Sequence, residues 1–268
     1  MKSYGINNNH LPKTLEEFHL EEFYNLGYTI IENVLDENEL VELRKELDRV
    51  YSIQESEFGK LNLQKINEEN LARIPLAYSE SFLNLAARNS MMKYVEQILG
   101  SYFVLHLQNG IINMPNEDHH QSSWHRDLPY QNWTSSEPLA CNVFYCLDPF
   151  NSENGATCLL PFSHNFTQAP SFEYMEKFKI QIDAPAGSAI IFNSMLFHKA
   201  GYNLSKNQIR RGVNNVYVKP IINQQINIPE LLNGKYSEDE FLRMLLGYKS
   251  ETTKSIFEYR NQRLNRLS

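Results

Sequence analysis

The sequence predicts a mainly β protein, an antiparallel sandwich or barrel with helices packed outside it. Two observations carry this. After Gly100 the chain breaks into short apolar segments bounded by Pro, Asn, Ser and Gly: YFVLHLQNGIIN, LACNVFYCL, ATCLLP, FKIQIDA, SAIIF and VNNVYVKPI. Strands this closely spaced, with no helical pattern of roughly 10–15 residues between them, favour antiparallel pairing over βαβ units. Both ends of the chain instead repeat their apolar residues at helical intervals.

Taken in order, Thr14 caps a helix with Glu17 at the capping-box position and Leu15, Phe18, Phe23 and Leu26 as its apolar stripe, and Gly27 ends it. Tyr28 to Val34 is β-branched and aromatic, as a strand requires. Asp36 opens a second helix with Leu40, Leu43, Leu47 and Val50 on one face. A third is expected over Ser79–Leu99, ended by Gly100. The strands follow, and from about Tyr236 two amphipathic helices return, suited to core packing, homodimerisation or a protein partner. No Pro/Gly/Ser linker and no internal repeat divides the chain, so residues 1–268 read as one domain with its β core at about 100–222.

Composition narrows the function classes. A 42% hydrophobic and 21% charged chain fills a core and is not disordered as a whole. Thirty-two acidic against 25 basic residues, net −7, argue against a protein built to grip nucleic acid or an anionic membrane. No apolar run approaches the ~18–20 residues of a membrane span, and MKSYGINNNHLPK has no apolar signal-peptide core. Cys141, Cys146 and Cys158 form no C-x-x-C pair and are too bunched for a disulfide framework. They read as small buried apolar residues, and a reducing, cytoplasmic location is expected.

Chemistry concentrates in three places. In Trp124-His125-Arg126-Asp127, residues i and i+2 of an extended chain point to one side, so His125 and Asp127 can converge. His198 ends the apolar run SAIIFNSMLF and can return to the same pocket after intervening strands. Two imidazoles and a carboxylate form the facial set that holds non-haem iron(II) and leaves positions open for cosubstrate and dioxygen. Alone, H-x-D is common in surface loops, and a histidine ending a strand is common as packing. Twelve residues past His198, however, Arg210 and Arg211 head another strand, where a buried arginine can grip a carboxylate bidentately.

With these residues in place, the chain resembles the phytanoyl-CoA dioxygenase family of Fe(II)/2-oxoglutarate-dependent oxygenases. The resemblance runs from about Leu15 to Pro220 through five motifs in order: FYNLGYTIIENVLDENELVELRKEL, WHRD, ENGATCLLPFSH, APAGSAIIFNSMLFH and RRGV. It implies a double-stranded β-helix with iron between its sheets, held by His125, Asp127 and His198. It further implies 2-oxoglutarate and dioxygen as cosubstrates, with Arg210 on the distal carboxylate because Tyr217 keeps the family's register. Gln108 resembles a glutamine that touches cosubstrate or substrate in some members, and Phe144 falls near a tryptophan lining the cosubstrate pocket. Asp127, as a carboxylate, favours hydroxylation over halogenation.

Two features depart from the family pattern. The His198-to-Arg210 spacing is one residue longer, which leaves Arg211 as the alternative cosubstrate ligand. Phe162 stands where a turn glycine is common. His164 reads as structural or as a support behind the site, with direct substrate contact as the alternative, and His119 and His120 as loop residues or part of a substrate-facing lid. Tyr130 and Trp133 either pack the following loop or stack on a ring-shaped substrate. The expected partner is a small metabolite, such as a sugar or secondary-metabolite intermediate, and the expected state is a monomer or homodimer. The competing reading is a metal-binding β-helix protein without oxygenase turnover, a sensor or a cupin-like isomerase.

Overall fold

The computed structural model describes residues 12–117, 120–128 and 131–265, with His120 by its backbone only. It opens with α1 (Leu15–Leu26), β1 (Tyr28–Ile31) and α2 (Glu37–Phe58). The Thr14 hydroxyl accepts from the Glu17 N–H, and Gly27, at φ +90°, stops α1 in the left-handed region. The expected stripe of α1 is only partly used. Phe23 is buried, Leu15 and Phe18 stay exposed, and His19 is buried instead, its Nδ1 bonded to Thr29 Oγ1 at 2.8 Å. In α2 the Asp36–Glu39 capping box is reciprocal and Leu40, Leu43, Leu47 and Val50 are all buried. The short α3 (Lys60–Lys65) and β2 (Leu71–Arg73) follow.

Two helices replace the single one expected over Ser79–Leu99: α4 (Glu80–Ala86) and α5 (Asn89–Leu99). Arg88 between them is extended, and its guanidinium is drawn to Glu39 on α2 and to the Val34 carbonyl. Carbonyls at a helix end need outside donors. Here those of Leu85 and Ala86 accept the Tyr145 and Tyr217 hydroxyls at 3.0 and 2.7 Å. The break thus docks α4 onto the sheet.

Beyond Gly100 come β3 (Val104–Asn113), β4 (Ala140–Cys146), β5 (Cys158–Leu159), α6 (Phe172–Phe178), β6 (Ile180–Gln181), β7 (Ala189–Asn193), β8 (His198–Lys199) and β9 (Arg210–Val218). The chain continues through α7 (Ile228–Leu231), α8 (Glu240–Leu245) and α9 (Ile256–Asn265). The major sheet has the antiparallel order β1-β7-β4-β9-β3-β2, and the minor sheet β6-β5-β8. This is the double-stranded β-helix, although more residues lie in helices than in strands.

Strand alternation gives the major sheet two different faces. Ile111, Phe144, Cys146, Ile190 and Phe192 point inward and meet Leu159, Ile182 and Leu196 between the sheets. Outward, Val143, Tyr145, Val213 and Tyr217 belong to the larger core that α2, α4 and α5 complete. Gly110 makes room for α2, since a Cβ there would stand 2.2 Å from Leu47 Cδ1. The three cysteines are free and buried. Of the carboxy-terminal helices, α8 buries Leu245 and α9 buries no side chain. Among the described residues no helix is long and apolar enough to cross a membrane.

Candidate metal centre

His125 and His198 share one rung. Each backbone N–H reaches the other's carbonyl at 3.0 Å, and the ring centres lie 4.3 Å apart. Two residues on, the Asp127 N–H bonds the Ser194 carbonyl at 3.0 Å, which turns the carboxylate toward the same point. Asp127 Oδ1 lies 3.7 Å from His125 Nε2 and 3.5 Å from His198 Nε2. One ligand atom from each of the three falls within 4.8 Å of the others, so the group could hold a metal ion.

The surrounding bonds orient these atoms. The Nδ1 atoms of His125 and His198 sit 2.8 and 2.9 Å from the Ser123 and Leu196 carbonyls. A carbonyl only accepts, so both Nδ1 atoms carry the proton and both Nε2 lone pairs face the centre. Asp127 Oδ2 accepts from the Asn142 amide, which also donates to Asn214 Oδ1 at 3.0 Å, while Ser194 Oγ donates to Asn142 Oδ1 at 2.6 Å. Burial alone would raise the Asp127 carboxyl, but the His198 and His125 imidazoles and the Asn142 amide outweigh it and hold it well below the usual range. Burial would lower His198, but the Asp127 carboxylate prevails and raises it.

Beside this centre lies a chamber lined by Ile111, His125, Phe144, Phe192, His198 and Arg210. Arg210 is 1% exposed, and its Nε and Nη2 have no protein partner. Its guanidinium carbon lies 4.7 Å from the Phe150 ring centre, and Phe150 meets Phe144 edge to face at 5.4 Å. Burial pushes the guanidinium down to about 10. Gly212 lets the Phe144 ring lie against β9, because a Cβ there would stand 2.5 Å from Phe144 Cε2. Arg211 points the other way, to Asp48 at 2.8 and 2.9 Å and Asp148 at 3.2 Å.

Known proteins resemble this chain in sequence or in fold. The uncharacterized protein Rv1501 of Mycobacterium tuberculosis is 30% identical over 245 residues, covering 87% of each chain. The solved structures of the non-heme alpha ketoglutarate dependent epimerase SnoN and of HygX from Streptomyces hygroscopicus superpose with TM-scores of 0.60 and 0.61. SnoN is 19% identical and matches 76% of this chain and 81% of its own; HygX is 15% identical and matches 79% and 90%. At such identities the likeness is one of fold. Residues 23–212 match the phytanoyl-CoA dioxygenase model. The chain belongs to the phytanoyl-CoA dioxygenase family.

Not every residue suggested by the family resemblance reaches the chamber. Phe144 does, and Gln108 does not. Gln108 faces the helices, where it accepts from the Leu76 N–H and donates to the Phe82 carbonyl and Asn215 Oδ1, each at 2.9 Å. A register shift between Leu105 and Leu107 precedes it, and Asn109, Ile111 and Asn113 share the inward face. His164 lies against Gly27 outside the chamber, and a Cβ on Gly27 would stand 2.5 Å from its Nδ1. Phe162 keeps a glycine-like φ of +67°. Trp133 packs partly buried against the larger core. His119, Tyr130 and the His120 side chain lie outside the described residues.

Sequence reasoning missed Asn142, Asn214 and His106. The two asparagines stand in apolar strands, where a buried amide is itself a signal. His106 occupies the β3 register shift, 8% exposed, with Nδ1 unpartnered. Burial lowers it, against a bond to the Asn223 backbone and the Asp127 charge.

Proposed function

We propose that this protein is an iron(II)- and 2-oxoglutarate-dependent dioxygenase that hydroxylates a small metabolite. Arg210 carries the reading: a fully enclosed guanidinium with two unpartnered nitrogens, in the chamber whose wall bears His125 and His198. A buried cation is costly until an anion meets it, and the far carboxylate of a metal-chelating dicarboxylate suits this position. The donor set also fits, since two imidazoles and a carboxylate suit non-haem iron(II). His125, Asp127 and His198 would hold the metal, Arg210 the distal carboxylate, and Phe144 would wall the cosubstrate. Bound there, iron(II) with 2-oxoglutarate and dioxygen supplies oxidation of an unactivated C–H bond, giving carbon dioxide and succinate.

The chain's own residues prepare the site. Backbone carbonyls hold both imidazoles in the ligating tautomer, and Asn142 fixes Asp127 from the side away from the histidines. Phe144, Phe192 and Ile111 give the chamber an apolar wall. A small molecule as substrate is supported by the fold neighbours: SnoN was solved with Fe3+, alpha ketoglutarate and nogalamycin RO, and HygX with nickel, 2-oxoglutarate and hygromycin B.

Anaerobic addition of iron(II) and 2-oxoglutarate tests this. The wild type should develop a weak visible charge-transfer absorption and, once aerated, release succinate. His125→Ala, Asp127→Ala and His198→Ala should each abolish both while the chain stays folded by circular dichroism. Metal uptake with neither signal would instead indicate a metal-binding β-helix protein that does not turn over the cosubstrate. A variant that kept wild-type turnover would remove that residue from the ligand set.

A further inference from the structure

The rung that carries His125 and His198 is poorly secured by its own sheet. It is an isolated bridge beside β8, and β5, β6 and β8 are each two residues long. So short a pairing has little ladder to fix its spacing. Their chain neighbours Trp124 and Lys199 turn to the opposite side, as alternation requires. There a single oxygen, Oε1 of Glu176 on α6, accepts from both Trp124 Nε1 at 2.8 Å and Lys199 Nζ at 2.5 Å. Lys199 Nζ also lies 5.2 Å from the Trp124 ring centre, which closes the triangle. The other oxygen, Oε2, takes Lys179. Trp124 packs on a small cluster of Leu160, Met175 and Phe197, so α6 is seated by apolar contact beneath the carboxylate. Burial would raise Glu176, but Lys179, Lys199 and Trp124 outweigh it and hold the group at about 2.

We infer that Glu176 is a positioning residue for the metal centre, clamping the His125 and His198 strands together from the face opposite the ligands. One carboxylate oxygen thereby ties the residue before one imidazole to the residue after the other. Loss of the clamp frees the rung to spread, and the two Nε2 atoms no longer hold the separation a single ion needs. The inference rests on the proposed ligand roles of His125 and His198.

Cobalt(II), a non-oxidising stand-in for iron(II), is titrated anaerobically into the full chain and followed by its visible d–d absorption, with metal-free melting curves in parallel. Glu176→Ala should weaken cobalt binding about 10-fold and alter the absorption envelope, and Glu176→Gln about three-fold. Trp124→Phe keeps the ring packing but loses the N–H, so it should weaken binding several-fold, with less than additive effect beside Glu176→Ala. Lys179→Ala, which touches only the other oxygen, should stay near wild type. If Glu176→Ala does not fold, Glu176→Gln and Trp124→Phe carry the test. Wild-type affinity and spectrum in these variants, whatever their melting temperatures, overturn the clamp alone. Failure of the wild type to take up cobalt overturns the metal assignment and the clamp with it.

Discussion

Two buried arginines, Arg126 and Arg210, are 3% and 1% exposed, and burial pushes both down to about 10. Arg126 spends its charge on four backbone carbonyls: Gln131, Trp133, Ser163 at 2.7 Å and Phe166 at 2.6 Å. Its guanidinium also stacks 4.2 Å from the Phe197 ring centre. Arg210 has an aromatic face too, on Phe150, but two of its nitrogens meet no acceptor. The protein supplies carbonyls to both terminal nitrogens of the first cation, leaving only its Nε without a partner, and leaves Nη2 as well as Nε of the second unmet. Burial alone therefore does not mark a binding arginine. What separates the two is whether the fold supplies acceptors to the terminal guanidinium nitrogens.

The largest expected effect comes from emptying the Arg126 site. Arg126→Met leaves four carbonyls without their donor around the metal-bearing loop and should destabilise the protein by roughly 3–5 kcal/mol in chemical denaturation. A loss under about 1 kcal/mol would erase the distinction between the two arginines. Arg210→Met should do the reverse to stability, leaving it unchanged or raising it by about 1–3 kcal/mol. Its cost should appear in binding: calorimetry on the metal-loaded protein should show 2-oxoglutarate affinity falling about 30-fold to several thousand-fold, with metal affinity hardly changed.

The sign of the pH dependence follows from the depressed guanidinium. A base that holds its proton less tightly when folded costs stability below about 10, and the cost fades as pH rises further. Any stability advantage of Arg210→Met should accordingly shrink in alkaline melts, whereas a gap that widened there would contradict the burial cost. Gly212→Ala is a gentler probe of the same wall. The added methyl meets Phe144 and should cost about 1–3 kcal/mol of stability, and by turning the ring into the chamber it should weaken 2-oxoglutarate binding. Smallest of all is Arg211→Ala, whose partners Asp48 and Asp148 lie outside the chamber. Cosubstrate affinity should stay within a few-fold and stability should drop by about 1 kcal/mol or less. A large affinity loss in this variant would mean that the cosubstrate reaches the outer face of β9.

How far each feature could be read from sequence depends on the range of the physics behind it. The α2 helix was legible because its capping box and its stripe of Leu40, Leu43, Leu47 and Val50 are local. His125 and Asp127 were legible as a pair for the same reason, since i and i+2 share a side of extended chain. Sheet faces were not legible in this way. All ten residues of β3 are buried, so no polar alternation marks its inward face, and the register shift after Leu105 moved Gln108 to the helix side. For Arg210 and Arg211, charge pattern could not choose between adjacent identical residues, whereas Asp48 and Asp148 claim one and the chamber receives the other. The helical period over Ser79–Leu99 hid a break that exists because Glu39 and the Val34 carbonyl, far back in the chain, draw Arg88 away. Glu176 carries no sequence signal at all, since its two partners on the metal rung become neighbours only when α6 settles on the minor sheet. Caps and periods act over a few residues and are written where they act. The face of a strand, the end of a helix and the partner of a charge depend on which distant groups arrive, and the folded chain alone sets that.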